Sequence, residues 1–309
     1  MAAKPLVSII VPSFNQGRFI AETLRSCLEQ DYRPIEVLVI DGASTDGTLE
    51  VLREIRAPEL RWWSEPDRGV VDAVNRGLDR ARGDILSIQS SDDLYLPGAV
   101  MAAVSALGHD PSLGLVYGDV ELIDEHGQVL GSDVQGSFDL DTYLGRFQYI
   151  PQPGTFFSRA ALETVGRWRE EVSYAADADF WFRIATRLPV RRLDRLMGKY
   201  RYHPEQRDKQ RQRIALDWER AVRDLMARDE LGARTRRHAR MGIYLARYRY
   251  ASDGDWQART RAVYCALLAN PAGVFDPRFP RRDLFPGRDP VWRLLSRIKR
   301  KLGCRPRTS

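Results

Sequence analysis

Residues 89–93 read Gln-Ser-Ser-Asp-Asp, and the two acids Asp92 and Asp93 follow a short apolar run, Ile85-Leu86-Ser87-Ile88. Adjacent carboxylates repel each other, and a divalent cation beside them removes that repulsion. Hard cations such as Mg²⁺ or Mn²⁺ prefer oxygen ligands and hold substrate phosphates through one or two carboxylates. A turn, or a cap for a helix starting near Pro97, would use the same residue types. The pattern alone does not choose, because Asp-x-Asp triplets also stand at Asp139/Asp141, Asp177/Asp179 and Asp253/Asp255. Asp41 is another acid at the end of an apolar run, Glu36-Val37-Leu38-Val39-Ile40.

Elements that would position these acids follow from periodicity. Leu6–Val11, Glu36–Ile40, Leu60–Trp63 and Asp84–Gln89 have the near-continuous apolar character of buried parallel strands. Phe19–Glu29, Thr45–Arg56 and Val70–Arg82 carry apolar residues at helical spacing between them. This alternation predicts an α/β fold, a Rossmann-like, mostly parallel sheet flanked by helices. Such sheets bind ligands beyond the carboxyl ends of their strands, where Asp41 and Asp92-Asp93 fall. Further on, Pro97–Leu107 reads as a helix, and Leu113–Tyr117 as a strand ending at Gly118-Asp119. Val120–Ile123 and Gln128–Gly131 flank a turn at Asp124-Glu125-His126-Gly127. Ala160–Val165 and Asp179–Arg187 read as helices, and residues 133–150 match no period. The expected organisation is a domain over 1–205 and a helical, Arg-rich C-terminal extension over 206–309. Within that extension lies a Pro/Gly/Arg-rich linker at 271–290.

The 309 residues suffice for one large core or two smaller ones. No run approaches the ~20 apolar residues of a membrane span, and no signal peptide is visible. Cys27, Cys265 and Cys304 form neither a metal spacing nor a disulfide framework, so a cytoplasmic setting is expected. Walker A, G-x-G-x-x-G and H-E-x-x-H patterns are missing. Charge is unevenly placed: residues 1–200 carry 21 basic and 30 acidic side chains, and residues 201–309 carry 27 and 12. Asp289–Gly303 reads as a terminal helix with an apolar stripe of Val291, Leu295, Ile298 and Leu302, and 291–309 holds seven basic side chains and no acid. Such a helix suits an anionic membrane surface, giving a protein peripheral on the inner face of the cytoplasmic membrane. Packing on the body with solvated charges is the other reading. No nucleic-acid recognition module accompanies the basic residues, so no nucleic-acid partner is expected.

An ordered set of motifs over roughly residues 6–205 narrows the chemistry. VSIIVPSFNQGRFIAETLRSCLEQDY is followed by EVLVIDGASTDGT, EPDRGVVDAVNRGLDRARGDI, SSDDLYLPGA, QPGTFFSR, YAADADFWFRIA and YRYH. In this order they resemble the inverting glycosyltransferases of family 2, which have the GT-A fold. The resemblance implies a nucleotide-diphosphate sugar donor, UDP first, and a divalent metal, Mn²⁺ or Mg²⁺. It also implies a hydroxyl acceptor on a glycan or lipid-linked glycan, in bacterial surface polysaccharide or lipopolysaccharide assembly.

The resemblance also implies roles for single residues. Pro12, Ser13 and Phe14 fall where the family holds base and ribose, and Asp41 where an acid accepts a hydrogen bond from the base. Arg68, near a helix start, suits the diphosphate. Asp93 falls at the metal-ligand position, with Asp92 on the sugar or ribose and His203 near metal and diphosphate. Ser91 stands where a longer Asp-x-Asp would begin. Inversion requires a carboxylate base opposite the leaving diphosphate. The family segment assigns it to Asp177, with Asp179 as runner-up on the acceptor side; Ala176 stands where many relatives carry Glu. Asp177 would alternatively cap the helix bearing Phe180, Trp181 and Ile184. Gln152, in the Gln-Pro-Gly-Thr stretch, matches the acceptor-side loop. Trp168 and Trp181 suit either a sugar ring or the core. A nucleotidyltransferase would need a Gly-rich basic loop after the first strand, which VPSFNQGR is not, and a non-catalytic sugar-nucleotide binder is the remaining alternative.

Overall fold

The computed structural model describes residues 4–134, 136–146, 149–206, 210–228, 231–251, 255–275 and 279–280. The expected membrane-facing helix at 289–303 and Cys304 lie outside the described residues. Contacts divide the chain into two units. One comprises residues 1–140 and 149–231; the other comprises 141–148 and 232–309.

The first unit is an α/β layer structure. It opens β1 (Val7–Ser13), α1 (Ile20–Leu28), β2 (Ile35–Asp41), α2 (Thr48–Glu54), β3 (Leu60–Ser64), α3 (Val70–Arg80) and β4 (Ile85–Ile88). These strands pair in the order β3-β2-β1-β4, all parallel. β1 and β2 are buried along their whole length, which is why they read as unbroken apolar runs. Val7, Ile9 and Val11 point with Val37 and Val39 into a core shared with Ile20, Leu24 and Cys27 of α1. On the opposite face α3 sits directly on β1: a Cβ at Gly77 would lie 2.3 Å from Ile10 Cγ2, so this helix position admits nothing larger than hydrogen.

The chain then continues through β5 (Leu94–Tyr95), α4 (Ala99–His109), β6 (Leu115–Ile123), β7 (Val129–Asp133), α5 (Leu140–Gly145), β8 (Thr155–Ser158) and α6 (Arg159–Val165). A short 3-10 segment (Glu170–Ala175) leads into α7 (Ala176–Ala185), β9 (Val190–Arg201) and α8 (Arg211–Ala227). The sheet order runs β3-β2-β1-β4-β8-β6-β9-β5, with β7 paired to β6. Only β5, β7 and β8 run against the other strands, so the sheet is mostly parallel.

Two expectations are corrected here. Residues 115–123 form one strand, not two broken at Gly118-Asp119. Gly118 lies under Met197, where a Cβ would stand 2.4 Å from Met197 Cγ, and Asp119 is buried against Arg192, whose Nε donates at 2.9 Å. The Gly-Asp pair therefore serves β6–β9 packing, and the register shifts there. The second helix begins at Thr48 rather than Thr45, because Asp46 accepts from Thr48 N–H at 3.1 Å and Gly17 N–H at 2.9 Å, tying the intervening loop to the β1–α1 turn.

The second unit contains α9 (Ala233–Arg249) and α10 (Trp256–Ala269), with a 3-10 turn at Pro271–Phe275. Its core brings together Met241, Val263, Ala266 and Phe279, and Arg234 pairs with Asp141 at 2.7 Å. Among the described residues no helix is long and apolar enough to cross a membrane.

Candidate active site

The carboxyl ends of β1 and β4, the Asp67–Ala73 stretch, the start of α7 and the end of β9 open onto one cleft of about 870 Å³. Pro12, Ser13, Phe14, Arg68, Asp92, Asp93, Gln152, Asp177 and His203 all line it. These positions come from six separate stretches of sequence, and only the sheet brings them together. Asp41 and Asp179 do not line it.

The two adjacent acids are held apart by different partners. Asp92 Oδ2 lies 2.9 Å from His203 Nε2, and Asp93 Oδ1 accepts the Arg201 backbone N–H at 2.8 Å. The turn carrying them is fixed from three sides. The Thr23 hydroxyl of α1 lies 2.9 Å from both the Ser91 and Asp93 carbonyls, and Gln152 Nε2 donates to Ser90 Oγ at 3.1 Å. From the end of β9, Arg201 Nε donates to the Asp92 carbonyl at 2.8 Å. Arg201 is 1% exposed; its Nη2 also donates to Glu22 at 2.7 Å, and its guanidinium lies 4.9 Å from the Phe19 ring centroid. Sequence reading missed this buried cation, although the Tyr-Arg-Tyr-His motif contained it.

Asp92, Asp93 and His203 offer the hard oxygens and imidazole that a divalent cation accepts. Among the described residues, however, no group of three acids, histidines or cysteines is placed to hold a metal ion by itself. The donor set therefore fits a cation that takes further ligands from a bound diphosphate.

Asp177 sits in the first turn of α7, with its Oδ1 accepting the Ala178 N–H at 2.8 Å. Ala175, not Asp177, holds the N-cap position, so the alternative of a capping aspartate does not apply. Asp179 faces elsewhere. It is 2% exposed, with Arg169 Nε at 3.1 Å and Arg183 Nε at 2.8 Å on Oδ2, and Arg169 Nη2 at 2.5 Å on Oδ1. Its carboxylate is committed to two guanidiniums in the interior. Burial pulls the Arg183 pKa down, against the raising effect of Asp179.

Asp41 is likewise inside, 1% exposed. Its Oδ1 accepts from Ser44 Oγ at 2.5 Å, and its Oδ2 from Ser44 N–H at 2.9 Å and Ser64 Oγ at 2.7 Å. It braces the loop after β2 and presents no oxygen to the cleft. Arg68 is bound through Nη2 to Glu170 at 2.8 Å and to Asp72 at 3.5 Å. Trp181 is core, packed against Phe157 and Phe180, whereas Trp168 reaches the cleft wall.

Comparison with known proteins now gives the class. Residues 8–166 match Glycosyl transferase family 2, about half of the chain, and the chain belongs to that family. An uncharacterised glycosyltransferase of Rickettsia felis is 28% identical over 214 residues, covering 66% of this chain and 35% of that protein. The chain thus spans about a third of the length of the first curated relatives it matches. A PGL/p-HBAD biosynthesis glycosyltransferase of Mycobacterium bovis is 34% identical over 184 residues, covering 58% of this chain and 69% of that one. Among solved structures, residues 1–349 of Staphylococcus aureus TarS, in complex with UDP-GlcNAc, superpose with TM-score 0.65 at 16% identity over 90% of this chain and 82% of that one. The Pyrobaculum calidifontis mannosyltransferase PcManGT, in complex with GDP-Man and Mn²⁺, gives 0.62 at 22% identity over 99% and 82%. The fold is that of the GT-A glycosyltransferases.

Proposed function

We propose that this chain is a metal-dependent inverting glycosyltransferase. It moves a sugar from a nucleotide-diphosphate donor, a UDP-sugar first, to a hydroxyl of a glycan or lipid-linked acceptor in bacterial surface polysaccharide or lipopolysaccharide assembly. The observation that carries this reading is the shared cleft: Asp177 opens onto the same space as Asp92, Asp93 and His203. The complexes of TarS with UDP-GlcNAc and of PcManGT with GDP-Man and Mn²⁺ support a nucleotide-sugar donor and a divalent cation on this fold.

In this reading Pro12, Ser13 and Phe14 hold the nucleoside end of the donor, Asp93 and His203 would hold the cation, and Asp92 meets the sugar or ribose. When bound, that cation neutralises charge on the leaving diphosphate. Arg68 adds positive charge at the start of α3, and Gln152 lines the acceptor side. Asp177 takes the proton of the acceptor hydroxyl as that oxygen attacks the anomeric carbon and the bond to the diphosphate breaks. The Asp177 carboxylate gains the proton; the diphosphate leaves with the bonding electron pair.

The test is thermal stabilisation by a panel of UDP-, GDP- and dTDP-sugars with and without Mn²⁺, since a ligand that binds only the folded state raises its melting temperature by mass action. One nucleotide series should stabilise, and more so with Mn²⁺. Mn²⁺ alone should do little, because among the described residues no group of three acids, histidines or cysteines is placed to hold it by itself. No stabilisation by any member, with or without metal, rejects the donor reading. Stabilisation without slow donor hydrolysis or transfer would make the chain a binder.

A further inference from the structure

The second unit carries a concentration of positive charge that the cleft does not use. α9 holds six arginines and no acid. Ala239, Met241, Ile243 and Ala246 face inward, which leaves Arg237, Arg240 and Arg247 on the outward face. Arg236 and Arg240 stand four residues apart, and Arg237 and Arg240 three apart; like charges at these spacings destabilise a helix. Arg234 has Asp141 at 2.7 Å, but among the described residues no acid pairs with Arg237 or Arg240. Asp255, at the start of the adjoining helix, caps α10 instead, its Oδ1 accepting the Ala258 N–H at 2.9 Å. A helix that keeps this repulsion on an exposed face is matched to an anionic partner.

The outward side of α10 identifies the kind of partner. This helix packs inward through small residues, with Val263 and Ala266 against Met241 of α9, and turns large ones outward. Tyr264 and Leu268, one turn apart, share the outward face with Arg261. Leu268 is 81% exposed, and Phe275 in the following 3-10 turn is 83% exposed. Trp256, at the helix start, is exposed as well. A helix surrounded by water normally does the reverse. Apolar side chains beside arginines suit the boundary between headgroups and acyl chains, where the apolar groups enter and the guanidiniums stay with the phosphates. A soluble polyanion would satisfy the arginines but leave Leu268 and Phe275 in water.

We propose that the α9–α10 surface docks on an anionic lipid headgroup layer, with Arg237 and Arg240 on the phosphates and Leu268 and Phe275 in the interface. The contact is separate from the terminal helix expected over 289–303, and it does not rest on the donor reading. A single weak contact gives only marginal, reversible membrane binding, so this surface and the basic tail act together.

The experiment is sedimentation of the full chain with vesicles of phosphatidylcholine alone, and of phosphatidylcholine and phosphatidylglycerol in equal parts. Wild type should pellet with the mixed vesicles and not with phosphatidylcholine alone. Arg237→Gln/Arg240→Gln should weaken that partitioning by about tenfold or more, the scale of two cations at a charged surface. It should not lower the melting temperature, because it removes a repulsion. Leu268→Ser/Phe275→Ser should weaken partitioning too. No pelleting of wild type, or unchanged partitioning in either double variant, overturns the proposal. Two patterns would name another occupant and overturn it equally. Leu268→Ser/Phe275→Ser that pellets like wild type, beside alginate binding that needs Arg237 and Arg240, marks a polyanionic glycan surface. The same variant with a lowered melting temperature and unchanged pelleting marks a face covered by protein, either residues 281–309 or a second copy. Stabilisation by nucleotide sugars, measured on the same samples, is independent: its absence fails the donor reading and leaves this surface standing.

Discussion

Asp177 and Asp179 stand two residues apart on one helix, and the structure separates their expected behaviour by stability before any activity is measured. Asp179 is 2% exposed, and three guanidinium nitrogens from Arg169 and Arg183 reach it at 2.5–3.1 Å. The Arg183 side chain is itself only 5% exposed. Removing the carboxylate charge leaves a buried guanidinium without its counter-ion, which costs about 3–5 kcal/mol in comparable buried pairs. A loss of 1 kcal/mol lowers the midpoint by roughly 2–4 °C in a domain of about 200 residues. Asp179→Asn should therefore melt roughly 6–20 °C below wild type. Asp177 lies on the cleft wall and takes an N–H from its own neighbour, Ala178, which an asparagine carbonyl can also accept. Asp177→Asn should melt less far below wild type than Asp179→Asn, retain donor binding and lose transfer by about 10²–10⁴-fold, the usual contribution of a general base. The assays are thermal unfolding by circular dichroism and transfer with the donor identified by stabilisation. Asp179→Asn that unfolds like wild type but is inactive, beside an active Asp177→Asn, would refute the reasoning and move the base.

Other outcomes follow from the buried charges. Glu36 lies buried near the start of β2, beside Ser8 of β1; burial pushes its pKa up, but hydrogen bonds from Ser8 and Arg82 and the charge of Arg61 outweigh this, leaving it below the usual carboxyl range. A depressed folded-state pKa stabilises above the unfolded value, near 4.3, and that share is lost as pH falls through the folded value. The stability gap between wild type and Glu36→Gln in urea titrations should thus be full at pH 7 and narrow below about pH 4; a constant gap would count against it. Arg201→Met removes the donor to the Asp92 carbonyl and the partner of Glu22. It should weaken Mn²⁺-dependent UDP binding more than metal-free UMP binding, and equal losses in both would reduce Arg201 to a general packing residue. Deleting residues 289–309 should release the protein from anionic vesicles in sedimentation, and unchanged co-sedimentation would reject the basic tail as a membrane contact.

The parallel half of the sheet was legible because strands covered on both faces must be apolar throughout, and β1, β2 and β4 are buried end to end. β9 was not. Its sequence, Val-Arg-Arg-Leu-Asp-Arg-Leu-Met-Gly-Lys-Tyr-Arg, is stabilised in the sheet by cross-strand ion pairs, Arg192 with Asp119 and Lys199 at 3.0 Å from Glu121, which no single-segment period reveals. β5 spans two residues and has no period at all. Motif positions converge on the cleft where the side chain's direction follows from the strand end, as at Pro12–Phe14. Asp41 and Asp179 turned inward because their partners, Ser44, Ser64, Arg169 and Arg183, come from other segments or from the next turn of the helix.

The place of the paired acids in the sheet explains why they are held so firmly. β4 and β5 are separated by only residues 89–93, yet three strands lie between them in the pairing order. A flat sheet would put them about 19 Å apart, four spacings of ~4.8 Å. The linker contains a tight turn, with Asp93 N–H donating to the Ser90 carbonyl, and does not extend that far. The sheet must curl until its far edge returns to its middle. Contact between the two strands records that closure: the buried Tyr95 hydroxyl of β5 lies 2.6 Å from Ser87 Oγ of β4, which in turn donates to the Thr155 carbonyl of β8 at 2.6 Å. Asp92 and Asp93 occupy the seam of this curl, so α1, β4 and β9 all bear on the same few backbone atoms. Two like charges can be kept adjacent there because the curl fixes the turn that carries them and gives each carboxylate its own partner, His203 for Asp92 and the Arg201 N–H for Asp93.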